Sequence, residues 1–276
     1  MKISDQIITS RSNPTIVSLS KLNMKKEREE TGLFLCDGKK LCFEYIKKCG
    51  AAPYVFVNEN NLDDLKEQLL LVEQECGQEL SITLLGDGAF SKLTEQRSPD
   101  GIILVGESCR IGYEKELSGA QSYSGQRIMM LSSLRDTGNV GTVIRTALAL
   151  GYDRIIMSCD CADILNPKTL RASMGAVFGM NMSLCSDLAS AVEDFCSVGR
   201  RVFAAELREN ALSIDQVSIK EEDIFIIGNE GHGIDGCVSS ACSASVYIPI
   251  SEKSESLNAA TAASIIMWQQ RTESFK

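Results

Sequence analysis

RDTGNVGTVIRTALALGYDRII, residues 135–156, joins an apolar run to a helical pattern through a loop carrying Gly138 and Gly141. The run before it, IMMLSSL, has the character of a buried strand. A strand, a glycine turn and a helix together suggest phosphate binding. The two glycines are too sparse, though, for the G-x-G-x-x-G spacing of a dinucleotide site. Asn139 suits a helix N-cap, and Gly141 lets a ligand approach the backbone closely. Arg145 follows within two helical turns, so Asn139 and Arg145 can both address the loop end of the strand. The plainer alternative is an exposed helix arginine beside a simple cap.

Two later stretches have the same layout. In IFIIGNEGHGID, residues 224–235, an apolar strand runs into three closely spaced glycines around one carboxylate, Glu230. Glycine this dense costs conformational entropy on folding, so tight turns or backbone set against a ligand are expected. In VYIPISEKSESLNAATAASIIMWQQR, residues 246–271, a strand ends near Ile248-Pro249-Ile250. A polar loop follows, and Ser256-Leu257-Asn258 opens a helix of small residues, with Ser256 a competent N-cap.

Composition narrows the chemistry. The 276 residues carry a formal net charge of −9, which argues against nonspecific nucleic-acid binding. Residues 1–50 nevertheless carry +4, enough for a local polyanion site or for solvated helix faces such as KKEREE. The 11 cysteines show no C-x-x-C pair, so they read as reduced thiols rather than a metal or disulfide framework. A single histidine, His232, removes most zinc, Ser-His and Cys-His schemes. No run is long and apolar enough for a membrane span, and the first residues lack the apolar core of a signal peptide. A cytoplasmic protein without membrane or metal is expected.

Strand and helix patterns alternate along the whole chain, which indicates α/β architecture. Asn13-Pro14 predicts a helix start, with Ile16, Leu19 and Leu22 on its buried face. The alternation gives a first domain over 1–107, a polar linker over 108–125 and a second domain over 126–276. In the second, strands are expected at 127–134, 153–158, 201–205, 223–228 and 245–250. Helices are expected at 139–150, 167–178, 186–198 and 256–271. Such alternation builds a mostly parallel sheet covered on both faces. All three glycine and polar motifs then fall at the C-terminal ends of strands, where open parallel sheets bind ligands.

In this order, the three motifs resemble those of the SpoU (TrmH-like) RNA ribose 2′-O-methyltransferases, within the SPOUT superfamily. The likeness runs over about residues 127–271. ITSRSNPTIVSLSKL, ETGLFLCDGKKLCFEYIK and SPDGIILV resemble the small substrate-binding domain often fused in front. Asp100 stands where that domain usually has Gln, which weakens any claim about a specific RNA contact there. The resemblance implies a trefoil knot in the C-terminal sheet, a homodimer, and S-adenosylmethionine held by backbone around Gly228, Ile248 and Leu257. It gives Arg145 the task of orienting the ribose hydroxyl and gripping its phosphate, with Asn139, Glu230, Ser256 and Asn258 holding the arrangement together. It favours ribosomal over transfer RNA. A dinucleotide oxidoreductase using Asp160 leaves the second and third motifs unexplained; Asn139, Arg145 and Glu230 argue against a non-catalytic RNA-binding member, and an activity assay separates the two.

Overall fold

Asn13 caps the first helix as the sequence predicts, accepting hydrogen bonds from the Thr15 and Ile16 amides at 3.0 and 3.4 Å. The structure, a computed structural model, describes residues 1–273. They form two units. One comprises Met1–Ile111 with Asp163–Gly179, the other Gly112–Ala162 with the chain from Met180 onward.

In the first unit the order is β1 (Lys2–Ile3), α1 (Pro14–Ser20), α2 (Lys25–Thr31), β2 (Leu33–Asp37), α3 (Lys39–Cys49) and β3 (Tyr54–Asn58). Next come α4 (Leu62–Cys76), β4 (Ser81–Leu85), α5 (Asp87–Leu93) and β5 (Ile102–Glu107). The sheet runs β1-β4-β3-β5-β2. β1, β3 and β4 are parallel, while β5 runs antiparallel to both β3 and β2. Ile16, Leu19 and Leu22 pack against Leu35, Phe56 and Phe90, so the predicted apolar face is the buried one.

The stretch 108–125, expected to be a linker, is folded. It carries β6 (Tyr113–Glu114) and a 3₁₀ turn at Ala120–Tyr123, and the Tyr123 hydroxyl donates to Glu114 at 3.0 Å. The second unit continues with β7 (Ile128–Leu131), α6 (Thr137–Ala149) and β8 (Arg154–Ser158). Then α7 (Pro167–Ser173) belongs to the first unit, before β9 (Asn181–Cys185), α8 (Leu188–Ser197), β10 (Val202–Ala205) and β11 (Leu212–Ser213). β12 (Ile224–Ile227), α9 (Gly236–Ala241), β13 (Ala244–Tyr247) and α10 (Ala259–Glu273) complete it. The eight strands are ordered β11-β13-β10-β12-β7-β8-β9-β6, every neighbouring pair parallel. Every residue of β7 and β12 is buried, as a sheet covered on both faces requires. Ile128, Met130, Ile224, Ile226 and Phe195 share one apolar cluster.

The helix expected over 167–178 is interrupted. Met174 and Gly175 take left-handed φ of 51° and 86°, ending α7 before a 3₁₀ turn at Ala176–Phe178. The break seats Phe178 against Phe34 and Tyr45, with ring centroids 6.2 and 5.4 Å away. Arg28, its side chain 2% exposed, bonds the Leu22 and Asn23 carbonyls and meets Asp163 at 2.6 Å. Removing that carboxylate strands a buried guanidinium with only two carbonyls. Asp163→Ala should therefore cost about 3 kcal/mol in chemical denaturation of the first unit.

Candidate active site

Three loops meet at the C-terminal ends of β7, β12 and β13, the end where parallel sheets take their ligands. Each loop supplies one residue to a common junction. Glu230, after β12, accepts from the Asn139 amide of α6 and from the Asn258 amide at 3.3 Å. Asn258 also donates to the Asn139 carbonyl oxygen at 3.0 Å. A carboxylate accepting from two amides is held by charge-assisted hydrogen bonds, and either change of side chain leaves polar atoms unmatched.

Both helix caps differ from the sequence expectation. Asp136, not Asn139, caps α6, its carboxylate accepting from the Asn139 backbone amide at 2.7 Å. Asn139 thus sits inside the first turn with its side chain free for the junction. Asn258, not Ser256, caps α10, accepting from the Ala260 and Thr261 amides at 3.0 and 3.2 Å. A cap oxygen must reach the N2 or N3 amide. Since α10 begins at Ala259, Ser256 lies too far upstream.

The glycine loop is built by a backbone pair, with Asn229 and Gly233 exchanging two hydrogen bonds of 2.9 Å. The Asn229 side chain accepts from the Gly231 amide at 2.8 Å and donates to the Ser133 carbonyl at 2.8 Å, tying this loop to the end of β7. Ser133 has a left-handed φ of 55°, a strained conformation for a serine. A Cβ on Gly228 would lie 2.5 Å from the Gly233 carbonyl carbon, so only glycine fits there. Asn229 and Ser133 were missed from sequence. For Asn229 the available signal was an amide side chain inside a glycine turn.

Two adjoining cavities open beside the junction. One, about 450 Å³, is lined by Val246 to Ile250 and by Glu255 to Leu257. The other, about 420 Å³, is lined by Ile227 to Glu230 and by His232 to Ile234. Both volumes fall in the range of sites for molecules of nucleoside size, roughly 300–1,000 Å³. Ile248 borders the first cavity, Gly228 the second, and Ser256 and Leu257 both.

Arg145 stands apart. It is exposed on α6, and no hydrogen bond or ion pair among the described residues engages it or joins it to Asn139, Glu230 or Asn258. Burial pushes the Cys36, Cys161 and Cys185 thiols up, and Cys242 to about 12, which makes these four poor nucleophiles. Among the described residues, no group of His, Cys, Asp and Glu is placed to hold a metal ion. None of the helices among those residues is long and apolar enough to cross a membrane.

An all-parallel sheet with three strand-end loops joined at one junction is an open α/β scaffold. Residues 126–268 match the SpoU rRNA methylase family, and residues 13–104 match the MRM3-like substrate binding domain. The chain belongs to the SpoU rRNA methylase family and is an S-adenosylmethionine-dependent RNA methyltransferase. It is similar to the 23S rRNA (guanosine(2553)-2′-O)-methyltransferase of Bacillus subtilis, 30% identical over 264 residues, 96% of this chain and 98% of that protein. It also resembles an uncharacterised tRNA/rRNA methyltransferase of Synechocystis, 27% identical over 96% of this chain and 93% of that one. In fold it matches the AdoMet-bound rRNA methyltransferase of Sinorhizobium meliloti, with a TM-score of 0.78 at 23% identity, covering 98% of both chains. The SpoU methyltransferase AviRb of Streptomyces viridochromogenes, in complex with AdoMet, gives 0.78 at 19% identity over 96% of this chain and 99% of that one.

Gly228→Ala should force the Gly233 backbone away from β12. Calorimetric titration of S-adenosylhomocysteine should then show binding weakened about tenfold, with the melting temperature lowered.

Proposed function

We propose that the protein methylates the 2′-hydroxyl of one ribose in structured ribosomal RNA. The observation that carries this reading is the Asn139–Glu230–Asn258 junction at the mouth of the two cavities. The relative from Bacillus subtilis, named for 2′-O-methylation of 23S rRNA, supports the choice of atom and of RNA class. The substrate-binding match over residues 13–104 supports recognition of RNA by the first unit.

S-adenosylmethionine supplies a methyl group on a positively charged sulfur, ready for in-line displacement. Positioning and removal of a proton from a weak acid remain for the protein. Arg145 grips the phosphate beside the target ribose and polarises its hydroxyl, since a guanidinium fork matches phosphate geometry. Its freedom from internal partners leaves every donor available to RNA. Asn139, Glu230 and Asn258 fix the loops around the hydroxyl, with Ser256 beside the ribose. The walls at Gly228, Ile248 and Leu257 take the donor's adenine.

The enzyme works as a homodimer in this reading, with the site completed at the interface. Exposed Trp268 and Ile265 on α10, which packs along α6, support a partner on that side. A trefoil knot in the second unit accords with its strand order, in which α10 leaves β13 and returns to β12 and α6. Eleven unpaired thiols suit a reducing cytoplasm.

The reading is tested by mapping 2′-O-methylation in cellular RNA with and without the protein. One ribosomal position should lose its mark; a lost transfer-RNA mark instead would replace the substrate class. Arg145→Ala should slow single-turnover methyl transfer roughly a hundredfold, about 3 kcal/mol, with melting temperature unchanged. Arg145→Lys should be nearly as slow, because it keeps the charge and loses the fork. Near-normal turnover in either variant would remove Arg145 from the mechanism. In sedimentation at micromolar concentration the protein should run as a dimer, and Trp268→Glu should shift it toward monomer.

A further inference from the structure

The two cavities share one wall, made by Ala205 to Leu207, Ser256, Leu257 and Ala262. Glu206 and Ser256 are its only polar side chains. Glu206 follows β10, the strand between β12 and β13, and its side chain is 13% exposed. Its backbone amide donates to the Val246 carbonyl at 2.9 Å, fixing it against β13. One carboxylate oxygen, Oε1, is fully occupied: Ser245 donates at 2.9 Å, Arg208 Nε lies at 2.8 Å, and Ser239 also donates. No hydrogen bond among the described residues reaches Oε2.

A carboxylate clamped by three donors on one oxygen is fixed in place, and its other oxygen has lone pairs for two further donors. The donor molecule has three parts in sequence: adenine, ribose and sulfonium. Its adenine belongs in the cavity of Ile248 and Leu257, and its sulfonium must face the junction at Glu230. The ribose then falls at the shared wall. We infer that Glu206 Oε2 accepts hydrogen bonds from the 2′- and 3′-hydroxyls of the donor's ribose. Glu206 thereby selects an adenosyl ligand carrying an intact vicinal diol. This rests on the assignment of the two cavities to the donor. A carboxylate reads a ribose hydroxyl in the same way in dinucleotide-binding parallel sheets.

The test is calorimetric titration of the full chain with S-adenosylhomocysteine and its 2′-deoxy and 3′-deoxy forms. The wild-type protein should bind each deoxy form roughly ten- to a hundredfold more weakly, as expected for losing a hydrogen bond to a charged group. Glu206→Gln leaves a carbonyl for Ser245 and Arg208 but places an NH₂ donor where Oε2 stood. It should bind the parent compound about tenfold more weakly and no longer distinguish the deoxy forms. Equal binding of all three ligands by the wild type overturns the inference, as does unchanged discrimination by Glu206→Gln. Should the variant fold poorly, by melting temperature, the wild-type comparison decides alone. Failure of the wild type to bind the parent compound would bring down the cavity assignment, and the role of Glu206 with it. An equal loss for all three ligands in the variant, without wild-type discrimination, would make Glu206 a purely structural clamp.

Discussion

Glu230 holds three chain segments together at one point: the turn into α6, the glycine loop after β12 and the entry to α10. Its carboxylate meets amides from Asn139 and Asn258. Each amide has a second commitment, so the junction is coupled to secondary structure on both sides. Asn258 caps α10 while it reaches Glu230. Asn139 lies in a turn already closed by Asp136. Glu230 and Asn258 are exposed and Asn139 is half-buried, so the stability gained is small, since water weakens such charge-assisted contacts. What the junction contributes is position.

That position is kept by the long pairing of α6 and α10. They touch at Asn139 and Asn258 near their starts, at Thr146 and Ser264 in the middle at 3.4 Å, and at Leu150 and Arg271 near the far end at 2.9 Å. The two helices run side by side in the same direction. At the base, the buried Gln270 donates to the Lys220, Glu221 and Asp223 carbonyls at 3.0, 3.0 and 2.8 Å and accepts from the Tyr152 hydroxyl. Polar groups this well satisfied specify a single register where an apolar contact could slide. The loop ends therefore inherit the rigidity of the sheet, as a binding constellation with tight tolerances requires.

Much of this was legible in the sequence because it follows from period and from turn chemistry. Ile224 to Ile227 and Ile128 to Leu131 are uninterrupted apolar runs, and both proved to be strands buried on both faces. Asn13-Pro14 and Gly50 marked helix ends by their own backbone preferences. The caps at Asp136 and Asn258 were misplaced because the motif offers several competent residues. Asp136 competes with Asn139, and Ser256 with Asn258; tertiary contacts decide between them. The break at Met174 had no local signal, since methionine is a good helix former and the left-handed turn there is imposed by seating Phe178 on Phe34 and Tyr45. Glu206 carries no motif at all. Its setting emerges only when Ser239 and Ser245 converge on it from other parts of the chain, beside the neighbouring Arg208.

The placement of residues 163–179 bears on how the enzyme folds. This segment lies between β8 and β9 in sequence, yet its packing partners are in the first unit. Arg28 needs Asp163, and the ring pair Phe34–Tyr45 needs Phe178. Neither unit is thus a continuous stretch of chain. A fragment ending near residue 107 would leave Arg28 buried without its carboxylate and one face of Phe34 and Tyr45 bare. The complementary fragment would expose Phe178, which is 6% exposed in the whole chain. Buried charges without partners and bare aromatic faces are both strongly destabilising. The connection between β8 and β9 thus completes the core of the first unit, and no single cut in the chain separates the two units.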